Sequence, residues 1–341
     1  MLKQTGLFIF FLSCSFCAWC QSGWLHTDND SAYIEDHTKD LTMRLYGSRK
    51  YTLYDVKDRA YDRELKYRPN SNFNIGVGAN YKFLGLNIGF KLPFINNDNK
   101  TYGKTSLLDL QSHIYLRKLV IDFYGQYYKG YYLENPHVAM PGYPAEDIYS
   151  LRPDLYSLDI GLNMQYIFND KRFSYRSAYL QNEYQKKSAG SFLVGWEAFA
   201  VKVHGDSAII PPSLGTKGFW GGSDFNHTGI LSVAVNGGYA YTYVYKKHFF
   251  GTVSVVGAIG INRSKLTYPD ERPDDHKTGL ELNNTVRLSI GYNSNRYFAG
   301  IHYVNMLTSS TAPVTDGTQK FGAGNFRVSI VRRFTLKKKL F

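Results

Sequence analysis

From residue 70 onward the chain repeats one pattern: an apolar residue at every second position, with small or polar residues between. The clearest copy is Phe73, Ile75, Val77, Ala79 and Tyr81, interleaved with Asn72, Asn74, Gly76, Gly78 and Asn80. Successive side chains on a strand point to opposite faces, so such a segment is apolar on one side and wet on the other. Alternating segments of roughly ten residues, joined by tight turns and long polar loops in turn, are the signature of a transmembrane β-barrel. The fold class read from this pattern is all-β, an antiparallel transmembrane β-barrel.

Further segments carry the same stripe. Leu84 to Leu92, Leu108 to Arg117, Leu119 to Tyr127, Tyr156 to Phe168, Phe173 to Tyr179 and Phe192 to Ala198 form the first group. Leu231 to Tyr245, Val253 to Ile261, Leu282 to Tyr292, Tyr297 to Tyr303 and Phe326 to Ile330 follow a break. That makes about twelve strands, an even number as single-chain bacterial barrels require. Tight turns are basic (Lys82, Arg117-Lys118, Lys171-Arg172, Lys246-Lys247), and long loops are acidic (Glu134, Glu146, Asp147, Asp154; Asp270, Glu271, Asp274, Asp275). Counted back from the C-terminus, 246–247 falls at the inner rim, but Lys82 and Arg117-Lys118 then fall outside. Adding a strand at Leu41, Met43, Leu45 and one hidden strand gives about fourteen and restores the rule of short inner turns.

The N-terminus reads as a secretory signal over residues 1–20: Lys3, an apolar run Leu7 to Leu12, and Ala18-Trp19-Cys20 ahead of a cut before Gln21. Phe11-Leu12-Ser13-Cys14 is a partial lipobox, which keeps a lipoprotein as an alternative. Cys14, Cys17 and Cys20 all lie in the removed segment, so the mature chain has no thiol for a disulfide, a nucleophile or a metal. Residues 21–66 read as a periplasmic arm, mobile over 21 to about 40, with a possible first strand at Leu41, Met43, Leu45, and 67–341 as the barrel. The chain carries +12, or 39 basic against 28 acidic residues once Lys3 is removed. An exported basic chain points to outer-membrane lipids and lipopolysaccharide rather than nucleic acid. The barrel-assembly machinery of the cell outer membrane is the other partner expected of such a chain.

The segments Tyr67-Arg68-Pro69-Asn70, Arg172 to Tyr179 and Ser188 to Phe192 resemble those of an uncharacterised family, a domain of unknown function among Gram-negative outer-membrane β-barrel proteins. The resemblance spans nearly the whole mature chain. It implies an outer-membrane barrel and brings no activity and no catalytic residues.

The wet face collects charges of both signs: Asp109, Asp122, Asp159, Glu197 and Glu281 against Arg117, Arg172, Arg176, Arg287 and Arg327. They predict a lumen network, which either lines a narrow transport or binding channel or fills the lumen and satisfies itself. A barrel hydrolase acting on lipid or lipopolysaccharide would need Ser, His and an orienting group together. Ser112-His113 and Asn226-His227-Thr228 are the candidates, although Ser112 and His113 point to opposite faces. The acidic run Tyr268 to His276 offers oxygens to Ca²⁺ but lacks the spacing of a known calcium loop, and a solvated loop is the alternative. No cofactor, metal or catalytic residue is expected. Tyr239, Tyr241, Tyr243 and Tyr245 suggest an interfacial aromatic girdle, or a stacking platform for sugars. Residues 204–227, rich in Pro and Gly, predict a long loop that plugs the lumen or caps the rim.

Overall fold

The computed structural model describes residues 28–81, 84–91, 95, 98–140, 142–143, 149–215, 218–270 and 272–336. The alternation builds long antiparallel strands: β1 (Ile34–Asp36), β2 (Leu41–Asp58), β3 (Arg63–Pro69), β4 (Phe73–Tyr81), β5 (Leu84–Lys91), β6 (Ser106–Asp109), β7 (Ser112–Tyr115), β8 (Leu119–Leu133) and β9 (Ser150–Ile167). The rest are β10 (Glu183–Gln185), β11 (Ala189–His204), β12 (His227–Tyr245), β13 (Phe249–Thr267), β14 (Asp275–Asn293), β15 (Tyr297–Thr311) and β16 (Gly317–Phe334). The last strand closes on the first long one, with pairing from Gly317↔Asp58 to Phe334↔Leu41.

Among the described residues ten strands form the closed ring and four more, β4 to β7, join the sheet outside it, so the ring is smaller than the expected twelve. The cause lies between β2 and β8. At the long-loop end β3 alone bridges them, through Tyr54↔Tyr67 and Tyr67↔Leu133. At the other end β4 continues the pairing of β2, from Arg49↔Phe73 to Thr42↔Asn80, and β5 pairs β4. β6 and β7 pair only β8. A hairpin is thus wedged into one half of the wall.

Three expectations are corrected. β2 is a full barrel strand, so the barrel takes in residues 41–66, which the sequence assigns to the arm. The arm itself is docked: β1 pairs β10, Ile34 is buried, and Tyr33 O accepts from Lys186 N at 2.7 Å. Residues 173–179 are not a strand. Tyr175–Tyr179 is a short helix begun by Ser174, whose Oγ accepts from Ser177 N. Gaining β2 and losing 173–179 resolves the parity conflict without a hidden strand. Arg117-Lys118, Lys171-Arg172 and Lys246-Lys247 now share one end, while Lys82 lies outside the described residues.

Outward positions form a continuous apolar belt, for example Val233, Ile259, Leu282, Ile301 and Ile330, all exposed. Tyr239, Tyr241, Tyr243 and Tyr245 face the same way beside the Lys246-Lys247 turn, with the Lys246 ammonium 5.3 Å from the Tyr245 ring. That placement is the girdle arrangement. Ile160 and Val255 sit mid-strand in the belt, 53% and 52% exposed. Ile160→Arg and Val255→Arg are each expected to cost ~2–4 kcal/mol in a bilayer. The yield of heat-modifiable protein in membranes should fall for both, and parent-like assembly of both would invert the facing.

Candidate functional site

The lumen is filled from both mouths and across its middle. At the basic-turn end the β9–β11 connection turns inward instead of running along the rim. Phe173, Tyr175, Ala178 and Tyr179 are buried among Tyr115, Val120, Phe250, Phe298 and Val331. Tyr175 Oη lies 2.6 Å from Ser254 Oγ. Three arginines hold the end of the short helix: Arg327 donates to Tyr179 O at 3.1 Å, Arg44 to Leu180 O at 2.9 Å and Arg333 Nε to Gln181 O at 2.8 Å. Cations at a helix C-terminus meet carbonyls that have no partner within the helix. Glu183 on the same plug is fully buried; Ser174 Oγ donates to it, and Arg117 and Arg176 lie at 3.4 and 3.3 Å.

At the other mouth the 205–226 connection folds in as well. Ile209, Ile210, Leu214, Phe219, Trp220 and Phe225 are buried with Tyr54, Tyr67 and Leu133. Trp220 N donates to Asp58 Oδ2 at 2.7 Å, its Nε1 donates to Lys57 O at 3.0 Å, and Tyr67 Oη donates to Ile209 O at 2.5 Å. Of the two expectations for this loop, the plug is the one observed.

Between the plugs lies the polar layer. Arg287, the largest charged side chain there, is fully buried and donates to Asp122, whose other oxygen is 2.7 Å from His113 Nδ1. Glu197 accepts from Asn283 at 2.6 Å and Asn236 at 3.3 Å, and Glu281 accepts from Ser310 at 2.5 Å. Asp109 takes Lys50 at 3.1 Å, Gln126 at 2.9 Å and Tyr128 at 2.5 Å. Asp159 is buried with no hydrogen-bond partner on either oxygen among the described residues. The expected network is thus split. Asp109, Asp122, Asp159, Glu197, Glu281 and Arg287 belong to the mid-lumen, whereas Arg117, Arg176 and Arg327 serve the plug. Arg172 lies outside the lumen, half exposed, 3.5 Å from Asp30 and over the Tyr33 ring. Lys50, His113, Arg44 and Arg333 are lumen groups that the charge inventory missed; parity along β2, β7 and β16 was the signal for them, while Glu183 on the plug had no such signal.

The hydrolase candidates do not assemble. His113 turns inward to Asp122 while Ser112 is exposed on the other face, and His227 lies against the His204 ring at 5.8 Å. One Ser–His contact exists that no sequence motif announces. Ser289 and His302 are cross-strand partners, with Oγ 3.0 Å from Nδ1. Gln181 Nε2 lies 3.3 Å from His302 Nε2, while its two hydrogens are directed to Ala178 O and Tyr179 O. Both side chains are buried, and among the described residues no carboxylate bonds the His302 ring as the orienting acid of a triad does. The contact ties β14, β15 and the plug together.

In the acidic loop Asp270 and Asp274 are each paired with a cation. Arg272 bonds Asp270 at 2.7 Å and Asp224, with its guanidinium 4.0 Å from the Tyr268 ring, and Lys265 holds Asp274 at 2.5 Å. The hydrogen bond from Arg272 keeps the Asp270 carboxyl below the usual carboxylate range, and that from Lys265 does the same for Asp274. Among the described residues no three His, Cys, Asp or Glu side chains are grouped to hold a metal ion.

The sequence profile of a domain of unknown function (DUF4421) matches residues 28–334. No curated protein matches the chain. Among solved structures it is similar to the outer-membrane protease OmpT of Escherichia coli, at 9% identity and a TM-score of 0.38, over 88% of this chain and 98% of that one. It is similar to the Pseudomonas putida toluene transporter TodX at 8% identity and a TM-score of 0.26, over 93% and 94%. The translocator domain of the autotransporter NalP from Neisseria meningitidis gives 8% and 0.27, over 88% and 90%. The barrel assignment rests on this chain's own ladders.

Proposed function

We propose, from the premise that this chain belongs to the DUF4421 family, a domain of unknown function, that it is a sealed outer-membrane barrel without catalysis, structural or ligand-binding rather than an open pore. The observation that carries this reading is the occupation of both mouths by the chain's own segments, 169–188 and 205–226, above and below a fully buried Arg287–Asp122 pair. A barrel of this size is wide enough for side chains to fill and too narrow to stay open around two plugs. The apolar belt supports contact with membrane lipids and lipopolysaccharide, and the barrel-assembly machinery would insert it. The plug with its basic turns faces the periplasm in this reading, and the long acidic loops face outward, following the usual asymmetry of turn length.

Planar-bilayer recording of the refolded chain tests it. The parent is expected to show no steady conductance. A variant with residues 175–185 replaced by a Gly/Ser linker removes the inner plug and is expected to raise current noise. Steady, salt-proportional conductance by the parent would overturn the sealed reading and restore the channel.

A further inference from the structure

One wall of the barrel is incomplete. Among the described residues no ladder joins β5 to β6 or β7, so β5 and the β6–β7 segment each keep one edge without a ladder partner in the basic-turn half. Open sheet edges do not persist against hydrocarbon unless something covers them. Behind this seam the inner wall is built of small residues. The inward rows, read across β2, β4 and β5, are Tyr46–Gly76–Gly89, Arg44–Gly78–Asn87 and Ser48–Asn74–Lys91. The absence of side chains lets Tyr46 lie flat across the wall: a Cβ on Gly76 would meet Tyr46 Cζ at 2.4 Å, and one on Gly89 would meet its Oη at 3.2 Å. Arg44 Nη1 reaches Asn87 Oδ1 on the edge strand at 2.9 Å. Asn87, Gly89 and Lys91 are exposed on β5.

The charge at this place is unbalanced. Arg44 is 4% exposed and its Nε has no hydrogen-bond partner; the Nε of Arg327 has none either. Neither guanidinium has a carboxylate within ion-pair distance among the described residues. Their bonds go to neutral oxygens, the carbonyls of Tyr179 and Leu180 and the amide of Asn87. A buried cation, Arg44, and a partly buried one, Arg327, both without counter-ions beside a gap in a lipid-facing wall, call for an anion delivered from the bilayer.

We propose that the β5/β6–β7 seam admits a membrane phospholipid, its phosphate headgroup bound inside by Arg44, Arg327 and Tyr46 and its acyl chains covering the unpaired edges. This rests on the membrane-barrel reading and on its orientation, which puts the seam in the inner leaflet. Phosphate is matched by guanidinium forks, and the acyl chains account for the apolar outer faces of Leu86, Ile88 and Phe90 on one side of the seam and Leu108 and Ile114 on the other.

Native mass spectrometry of the refolded chain in detergent, with equimolar phosphatidylglycerol and phosphatidylcholine, tests the assignment. Phosphatidylglycerol adducts are expected to dominate, and Arg44→Gln with Arg327→Gln should lower them by about tenfold, the loss of one charge-assisted hydrogen bond. Because both arginines also hold the plug, Gly89→Phe is a second variant. It keeps the cations and blocks the wall, and should lower adducts as much. Parent-like adducts in both variants would overturn the site. Displacement by millimolar inorganic phosphate as effectively as by lipid would assign it to the free anion instead. A heat-modifiability gel on each variant reports the barrel separately, so loss of the barrel and loss of the lipid site are distinguishable.

Discussion

Deleting residues 325–341 is expected to abolish the folded, heat-modifiable form of the protein. The segment supplies the basic-turn half of β16, whose pairs run from Asn325↔Lys50 to Phe334↔Leu41 on one side and from Val304↔Asn325 to Tyr297↔Arg332 on the other. Its loss opens two edges at once. Each unsatisfied backbone group in hydrocarbon costs several kcal/mol, so the groups of two opened edges together exceed the ~5–15 kcal/mol that holds a folded domain. The deletion also removes Arg327 and Arg333, two of the three arginines that hold the end of the plug helix. A membrane-fractionated, unheated gel should show only the unfolded band, with the chain degraded or aggregated. A normal shifted band in the outer-membrane fraction would defeat the closed-barrel reading itself.

The second large effect belongs to the pair at the centre. Arg287 and Asp122 are both fully buried, and Asp122 also binds His113. Removing either partner strands a charge in a site closed at both ends. Arg287→Ala or Asp122→Ala should each destabilise the barrel by roughly 3–5 kcal/mol. The double variant Arg287→Met with Asp122→Leu leaves no unpaired charge and should recover most of that loss, because a well-packed apolar pair often equals a buried ion pair. Urea unfolding in lipid vesicles, followed by tryptophan fluorescence, measures all three. Single costs below about 1 kcal/mol would show that water reaches the pair and that the lumen is not sealed; a double variant worse than either single would show that the polar layer is needed for the fold.

Much of the lumen was legible because strand parity is local. The alternation of Tyr156 to Phe168 by itself puts Asp159 and Asn163 inside and Ile160 outside, and the same holds for Glu197, Glu281 and Arg287 on their strands. A period of two needs no knowledge of neighbours. Partner choice does need it. Arg287 meets Asp122 across the lumen, 165 residues away, because register and ring size set the two at one level. Nothing in either segment encodes that level.

The same division explains the errors. Phe173, Tyr175 and Tyr179 mimic a strand stripe, yet they lie in a connection that is buried on every side, where periodicity no longer distinguishes faces. Arg172 shares that stripe's polar face and so was placed in the lumen, whereas the turn into the plug carries it outside. The ring of ten, rather than twelve, follows from β3 spanning the gap between β2 and β8 alone, a contact made by Tyr54, Tyr67 and Leu133 from three distant segments. The sequence by itself determined that these strands form a barrel with an apolar outer face and which face of each is wet, since both follow from hydrophobicity at neighbouring positions. Tertiary structure alone decided how many strands close, which acids meet which bases, and that the lumen is filled, since each depends on pairings between residues far apart in the chain.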